Sequence, residues 1–183
     1  MLVLFLLWRG YKSSLLVLSM KKFGFSLIEL IIVIAILGIL AGMMSGNFFS
    51  SLRKSRDAKR KTDLENVKHA LELYYNDYKK YPVAVDNKIS VDGSSGIDWG
   101  NKFEDEKGTL YMQKLPEDPK ASSDYKYYYA ADTEGTYSKL YACLENDQDF
   151  QRKRDGYSDA SCDWCTIDGD YCNYGISSPN TSP

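Results

Sequence analysis

Hydrophobic and polar positions divide this chain sharply. From Phe25 to Phe49 the residues read FSLIELIIVIAILGILAGMMSGNFF, with Glu29 as the single charge. Twenty-five residues make about 37 Å of helix at 1.5 Å per residue, enough to cross a bilayer core of roughly 30 Å. A secretory signal peptide has a shorter apolar region, about 7 to 15 residues, and ends in a small-x-small cleavage site. Here the run is longer and passes into a second helical pattern. Leu64, Val67, Leu71, Tyr74, Tyr75 and Tyr78 recur at helical spacing, while Lys61, Lys68 and Glu72 take other faces. Pro82 is a stop signal. The pattern predicts one helix from Phe25 to about Lys79, roughly 80 Å long, apolar all round in its first half and amphipathic in its second.

Beyond the helix the pattern changes period. Residues 83 to 109 read as loop, with Asp92-Gly93-Ser94-Ser95-Gly96 and Gly100 as turn signals. Tyr125–Ala130 and Tyr137–Leu144 read as two antiparallel strands joined by a turn at Asp132 to Thr136. Their aromatics suit a half-exposed sheet. The expected fold is α+β: a long N-terminal helix packed on a small antiparallel sheet. The divisions expected are 1–24, a transmembrane half of the helix at 25–49, its amphipathic half at 50–81, a globular head at 82–160 and a cysteine-containing tail at 161–183.

Glu29 is the most informative residue. A carboxylate at membrane depth costs several kcal/mol unless something pairs with it, and nothing else in the apolar segment can. The nearest external partner is an α-amino group made by cutting before Phe25, supplied by a neighbouring copy. Docking a second copy would then be favourable because it neutralises the charge. The competing reading is a Glu that protonates or reaches the membrane interface. Gly38, Gly42 and Gly46 recur every four residues and would let helix backbones approach closely, although glycine is common in membrane helices anyway.

Charge sharpens this division. The net charge of −2 hides unlike parts: residues 1–24 hold Arg9, Lys12, Lys21 and Lys22 with no acid, and 81–183 are strongly acidic. An acidic head argues against nucleic acid as a partner. Arg53, Lys54, Arg56, Lys59, Arg60 and Lys61 follow the apolar run directly. Counted alone, that cluster would put the large domain in the cytoplasm, against the topology argued below. His69, the only histidine, has no metal-ligand spacing and reads as a surface residue.

All four cysteines, Cys143, Cys162, Cys165 and Cys172, lie in the last quarter. Cys162-Asp163-Trp164-Cys165 has redox CxxC spacing but lacks the strand-then-helix setting of that chemistry. The four could also ligate zinc. Disulfides stapling a loop-rich tail are the simpler account outside the cytoplasm, with three pairings open. Short loops favour Cys162 or Cys165 joined to Cys172. The end, ISSPNTSP, reads as ragged.

Lys21-Lys22-Phe23-Gly24 followed by Phe25-Ser26-Leu27-Ile28-Glu29-Leu30 resembles the processing site of type IV prepilins and type II secretion pseudopilins. The resemblance implies a basic leader cut between Gly24 and Phe25 by a membrane prepilin peptidase, N-methylation of Phe25, and Glu29 as the packing carboxylate. Met1–Ser19 fits it poorly, and translation is expected to begin at Met20. The family often has Pro near the position of Gly46, where this chain has Gly. LELYYNDYKKYP, then YMQKLPEDP and a Tyr-rich hairpin, is similar in order and spacing to the major pseudopilin of type II secretion. Major pseudopilins commonly end in an acidic loop that binds Ca²⁺. Here LENDQDFQRKRDG offers Asn146, Asp147 and Asp149 as oxygen ligands, which read more simply as a solvated acidic loop, so no cofactor is expected.

The resemblance implies a structural subunit rather than an enzyme: a secretion pseudopilus protein in the cytoplasmic membrane, head outward. Its partners would be further copies of itself, the peptidase, an inner-membrane assembly platform and membrane lipid. A type IV pilin for adhesion, motility or DNA uptake shares the same N-terminal signature and stays open. A membrane-tethered redox or binding domain is the other class. Against an enzyme stand the lone histidine, the lack of a nucleophile–base pair and the lack of a phosphate-cradling Gly motif.

Overall fold

The computed structural model describes residues 24–120, 125–158, 160, 162, 165 and 171–183, the side chains of 44–47 excepted. The leader with Lys21 and Lys22 therefore lies outside the described residues. Helix α1 (Leu27–Tyr78, 52 residues) is followed, among the described residues, by seven short strands. The chain divides into two compact units, Met1–Met43 and Met44–Pro183, and each is described on its own.

In the first unit Gly24, Phe25 and Ser26 belong to no regular element, and the chain becomes helical at Leu27. Every described apolar side chain here faces outward, from Phe25, 84% exposed, through Ile39, 63%. No single helix among the described residues is long and apolar enough to cross a membrane; Leu27–Met43 and Phe48–Tyr78 meet that test only as a pair.

In the second unit the same helix behaves differently. Leu64, Val67, Ala70, Leu71 and Tyr74 are buried at i, i+3 and i+4 spacing, with Tyr75 and Tyr78 packed against their cluster. Helix α1 ends at Tyr78 because Lys79 turns left-handed at φ 56°, its N–H still bonded to the Tyr75 carbonyl at 2.8 Å. Pro82 lies three residues past that cap.

The segment expected to be loop holds two hairpins. Strands β1 (Val83–Val85) and β2 (Lys88–Ser90) pair antiparallel across Asp86-Asn87. Both turn residues have positive φ, 50° and 62°, the mirror-image turn that matches strand twist. Without a Gly in the turn, the strand pattern was easy to miss. Strands β3 (Phe103–Glu104) and β4 (Leu110–Met112) pair across a Gly108 turn.

The main sheet has three strands rather than two: β5 (Tyr128–Ala131), β6 (Ser138–Ala142) and β7 (Tyr174–Ser177), in that order and antiparallel. The first two sit inside the expected hairpin, with the Asp132 carboxylate accepting the Thr136 N–H at 2.7 Å in its turn. The third comes from the tail. Nor is the end ragged. The Ser178 N–H donates to the Ser138 carbonyl at 2.9 Å, and Asn180 donates its side-chain amide to the Thr136 carbonyl at 2.5 Å.

Both faces of β6 are covered, which explains its near-continuous apolar run. Leu140, Ala142 and the following Leu144 join the core built on α1, with Tyr129, Ile89, Phe103 and Leu115. The alternate residues, Tyr141 and Cys143, face a second cluster containing Cys162, Cys165 and Cys172. The tail is thus the outer layer of the sheet.

Candidate processing and assembly site

Gly24 and Phe25 lie exposed and non-helical immediately before α1. Helix onset at Leu27 leaves the Gly24–Phe25 peptide bond outside the helix, where a peptidase can reach it. A Cβ built on Gly24 meets nothing within 4 Å. The fold itself therefore places no demand for glycine there.

Ser26 occupies the N-cap of α1, and its carbonyl accepts the Leu30 N–H at 3.2 Å. Glu29 falls three residues later, in the first turn, so Ser26 and Glu29 have capping-box spacing. A carboxylate there also complements the positive end of the helix dipole. This is a second, local role for Glu29. It does not relieve the need for a counter-charge in an apolar setting, since Glu29 is exposed. Gly38 and Gly42 likewise have open space where a Cβ would stand. Gly46 is helical, but its surroundings lie outside what is described.

The basic stretch after the apolar run is where the structure adds most. Arg60 is fully buried. It bonds Asp118 in fork fashion, Nε to Oδ2 at 2.7 Å and Nη2 to Oδ1 at 2.9 Å, while Nη1 donates to Asp57 at 2.7 Å and to Glu145 at 2.8 Å. Arg56 grips Glu145 with two further bonds, at 2.8 and 2.7 Å. Lys120 reaches the same carboxylate at 2.9 Å. Asp57 accepts the backbone N–H groups of Glu145 and Asn146, the nearest contact 2.7 Å.

Three cations and three carboxylates thus tie the helix to the end of β6. Burial alone would lower the Arg60 pKa, but Asp118, Glu145 and Asp57 outweigh it and hold the value above the ordinary one. Burial likewise works to raise Glu145, and the bonds from Arg56, Lys120 and Arg60 overcome it, holding the carboxyl at about 2. Composition hides this network because buried charge is rare. The legible signal was periodic: stepping back from Leu64 at helical spacing reaches Arg60 and then Asp57.

The network bears on the topology conflict. Arg56, Arg60 and Lys61, half of the basic cluster, are neutralised by carboxylates of the folded unit. The positive-inside count treats them as free charges.

Among the proposed calcium ligands, Asp149 is committed to Lys61, both carboxylate oxygens lying within 2.8 Å of Nζ. It also accepts the Gln151 N–H at 3.0 Å. Among the described residues no group of three or more His, Cys, Asp or Glu side chains could hold a metal ion. Asn146, Asp147 and Asp149 do not fit the calcium loop.

The cysteines form Cys143–Cys165 and Cys162–Cys172, with Cα separations of 5.5 and 5.0 Å. The short-loop preference for Cys172 is met by Cys162. The two cysteines of the CxxC segment belong to different bridges and all four are buried, so that segment is not a redox pair and zinc has no thiolates to bind.

Comparison with known proteins follows the same division. Residues 19–45 match the prokaryotic N-terminal methylation motif. The type II secretion system core protein G of Vibrio cholerae is 32% identical over 107 residues, covering 58% of this chain and 70% of the relative. Its namesake in Klebsiella pneumoniae is 31% identical over 106 residues, 58% of this chain and 74% of the relative. The type IV major pilin protein PilA of Myxococcus xanthus is 38% identical, but over 58 residues that cover only 26% of that protein. No solved structure matches at a significant level. With similarity extending well past the shared N-terminal motif, this chain belongs to the type II secretion system core protein G family.

Proposed function

We propose that the chain is a structural subunit of a type II secretion pseudopilus, and that its working surface is the N-terminal helix. The observation that carries this is the contrast within α1. The segment from Leu27 to Met43 leaves large apolar side chains such as Ile31 (59%) and Leu37 (58%) exposed, and it lies within the match to the prokaryotic N-terminal methylation motif. Soluble monomers rarely expose contiguous apolar patches of this kind. Lipid before assembly, and the same segment of other copies after it, would cover them.

In this reading residues 25–49 anchor the subunit in the cytoplasmic membrane, with the head on the outer face. The peptidase cuts between Gly24 and Phe25 and methylates Phe25, with Lys21 and Lys22 marking the cytoplasmic side. The amine of Phe25 then pairs with Glu29 of a neighbour, while Gly38, Gly42 and Gly46 permit close backbone approach. The membrane assembly platform drives polymerisation. The role is structural, and the disulfides fit an extracytoplasmic head.

The decisive experiment co-expresses the chain with a prepilin peptidase and weighs its N-terminus. The expected product begins at Phe25 with one added methyl and is absent from Gly24→Ala, whose fold has room for the extra carbon. An intact leader, or a cut beyond Gly46, would end the filament reading.

A further inference from the structure

We infer that the second unit carries a binding site for an anionic phospholipid headgroup, in a cleft at the start of the basic stretch. This rests on the membrane topology proposed above. The cleft, of about 520 Å³, is lined by Phe49, Leu52, Arg53, Arg56, Lys120 and Tyr125, with Glu145 at its floor.

The ion network leaves this cleft with surplus positive charge. Arg56, Arg60 and Lys120 are balanced by Asp57, Asp118 and Glu145. Arg53, in the cleft, and its neighbour Lys54, outside the cleft lining, are not: both are exposed, and neither has an ion pair or hydrogen bond among the described residues. Arg56 spends Nε and Nη2 on Glu145 yet is 28% exposed at its side chain, and Lys120 is 37% exposed. Arg56 keeps guanidinium N–H donors that can turn to a phosphate in the same cleft as Arg53.

The walls select the kind of anion. Phe49 and Leu52 are exposed at 60% and 38% and are the last large apolar residues before the charges begin. The cleft therefore offers hydrocarbon together with guanidinium and ammonium. A phospholipid at the membrane surface presents glycerol and acyl carbon on one side and phosphate on the other, and an additional negative headgroup charge is what the unbalanced Arg53 and Lys54 would favour. Of the six cations in the cluster that runs against the positive-inside count, Arg56, Arg60 and Lys61 are held by the head, while Arg53 and Lys54 are left for lipid.

The test uses the full chain in vesicles with a photoactivatable phosphatidylglycerol, against the same probe made on phosphatidylcholine. Expected is preferential phosphatidylglycerol labelling of peptides around Phe49–Arg56 and Lys120. Arg53→Gln and Lys54→Gln should each weaken that preference about fivefold, the effect of one basic side chain near an anionic surface. Intact mass should show both disulfides retained in the variants, so that loss of labelling is not loss of folding. Equal labelling by the two probes, or labelling unchanged in the double variant, would overturn the site. So would equal competition by inorganic phosphate, which would mean a free anion is bound, or cross-linking of Arg53 and Lys54 to the acidic head of another copy in place of lipid. Because N-terminal processing is read separately, normal cleavage at Phe25 without lipid preference sinks this inference alone.

Discussion

One helix serves two regions of this molecule under opposite rules. Between Leu27 and Met43 it is apolar on every face and buries none of its described side chains within the chain. Between Asp57 and Tyr74 it is polar on most faces, yet a single stripe, Asp57, Arg60, Leu64, Val67, Leu71 and Tyr74, is buried. The difference teaches that apolar content does not locate the core. The stripe folds because a sheet lies against it, and its first two members are charges satisfied by the head. The apolar half awaits a partner that intramolecular folding does not supply.

The comparison is best broken at Arg60. Arg60→Ala leaves Asp57, Asp118 and Glu145 buried without their central cation, and should cost about 3–5 kcal/mol, read as a large fall in the unfolding midpoint of the full chain in detergent. An unchanged midpoint would mean the network is ornamental. A paired substitution sharpens the contrast between regions: Leu71→Ala should destabilise the head by about 2–5 kcal/mol. Ile34→Ala should leave head stability within about 0.5 kcal/mol and be felt only in filament yield.

Removing Cys162–Cys172, with both residues changed to Ala, should cost about 3 kcal/mol on the loop-entropy account, measured by denaturant unfolding. Native protein should show no titratable thiol, whereas a redox enzyme would show a reactive one. Acid should act through Glu145. Its folded value of about 2 lies below the ordinary 4.5, so between them the unfolded chain binds the proton and the folded chain does not. Stability is present above about 4.5 and lost as pH falls toward 2, by up to about 3 kcal/mol. Unfolding midpoints across that range test it, and Glu145→Gln should flatten the profile. The smallest effect expected is stabilisation by Lys79→Gly, roughly 0.5–1 kcal/mol, because the left-handed cap costs a Cβ-bearing residue more than glycine.

By itself the sequence determined the features that depend on local pattern. The apolar run, the amphipathic continuation from Leu64 to Tyr78, the Asp132–Thr136 turn and the processing motif at Gly24-Phe25 are all contiguous or periodic, and period is a property of the chain. Only the tertiary structure decided what depends on residues far apart. Strand β7 was invisible because Tyr-Gly-Ile-Ser is too short and too mixed to declare a strand until β6 offers it an edge. The disulfide partners were open because pairing follows Cβ proximity across the sheet. Arg60 and Asp57 looked like solvated charge, since a charge enters a core only when distant partners meet it there, here the carboxylates of Asp118 and Glu145 for Arg60 and the backbone N–H groups of Glu145 and Asn146 for Asp57. That meeting is a fact of three dimensions, about 60 to 90 residues apart in the chain.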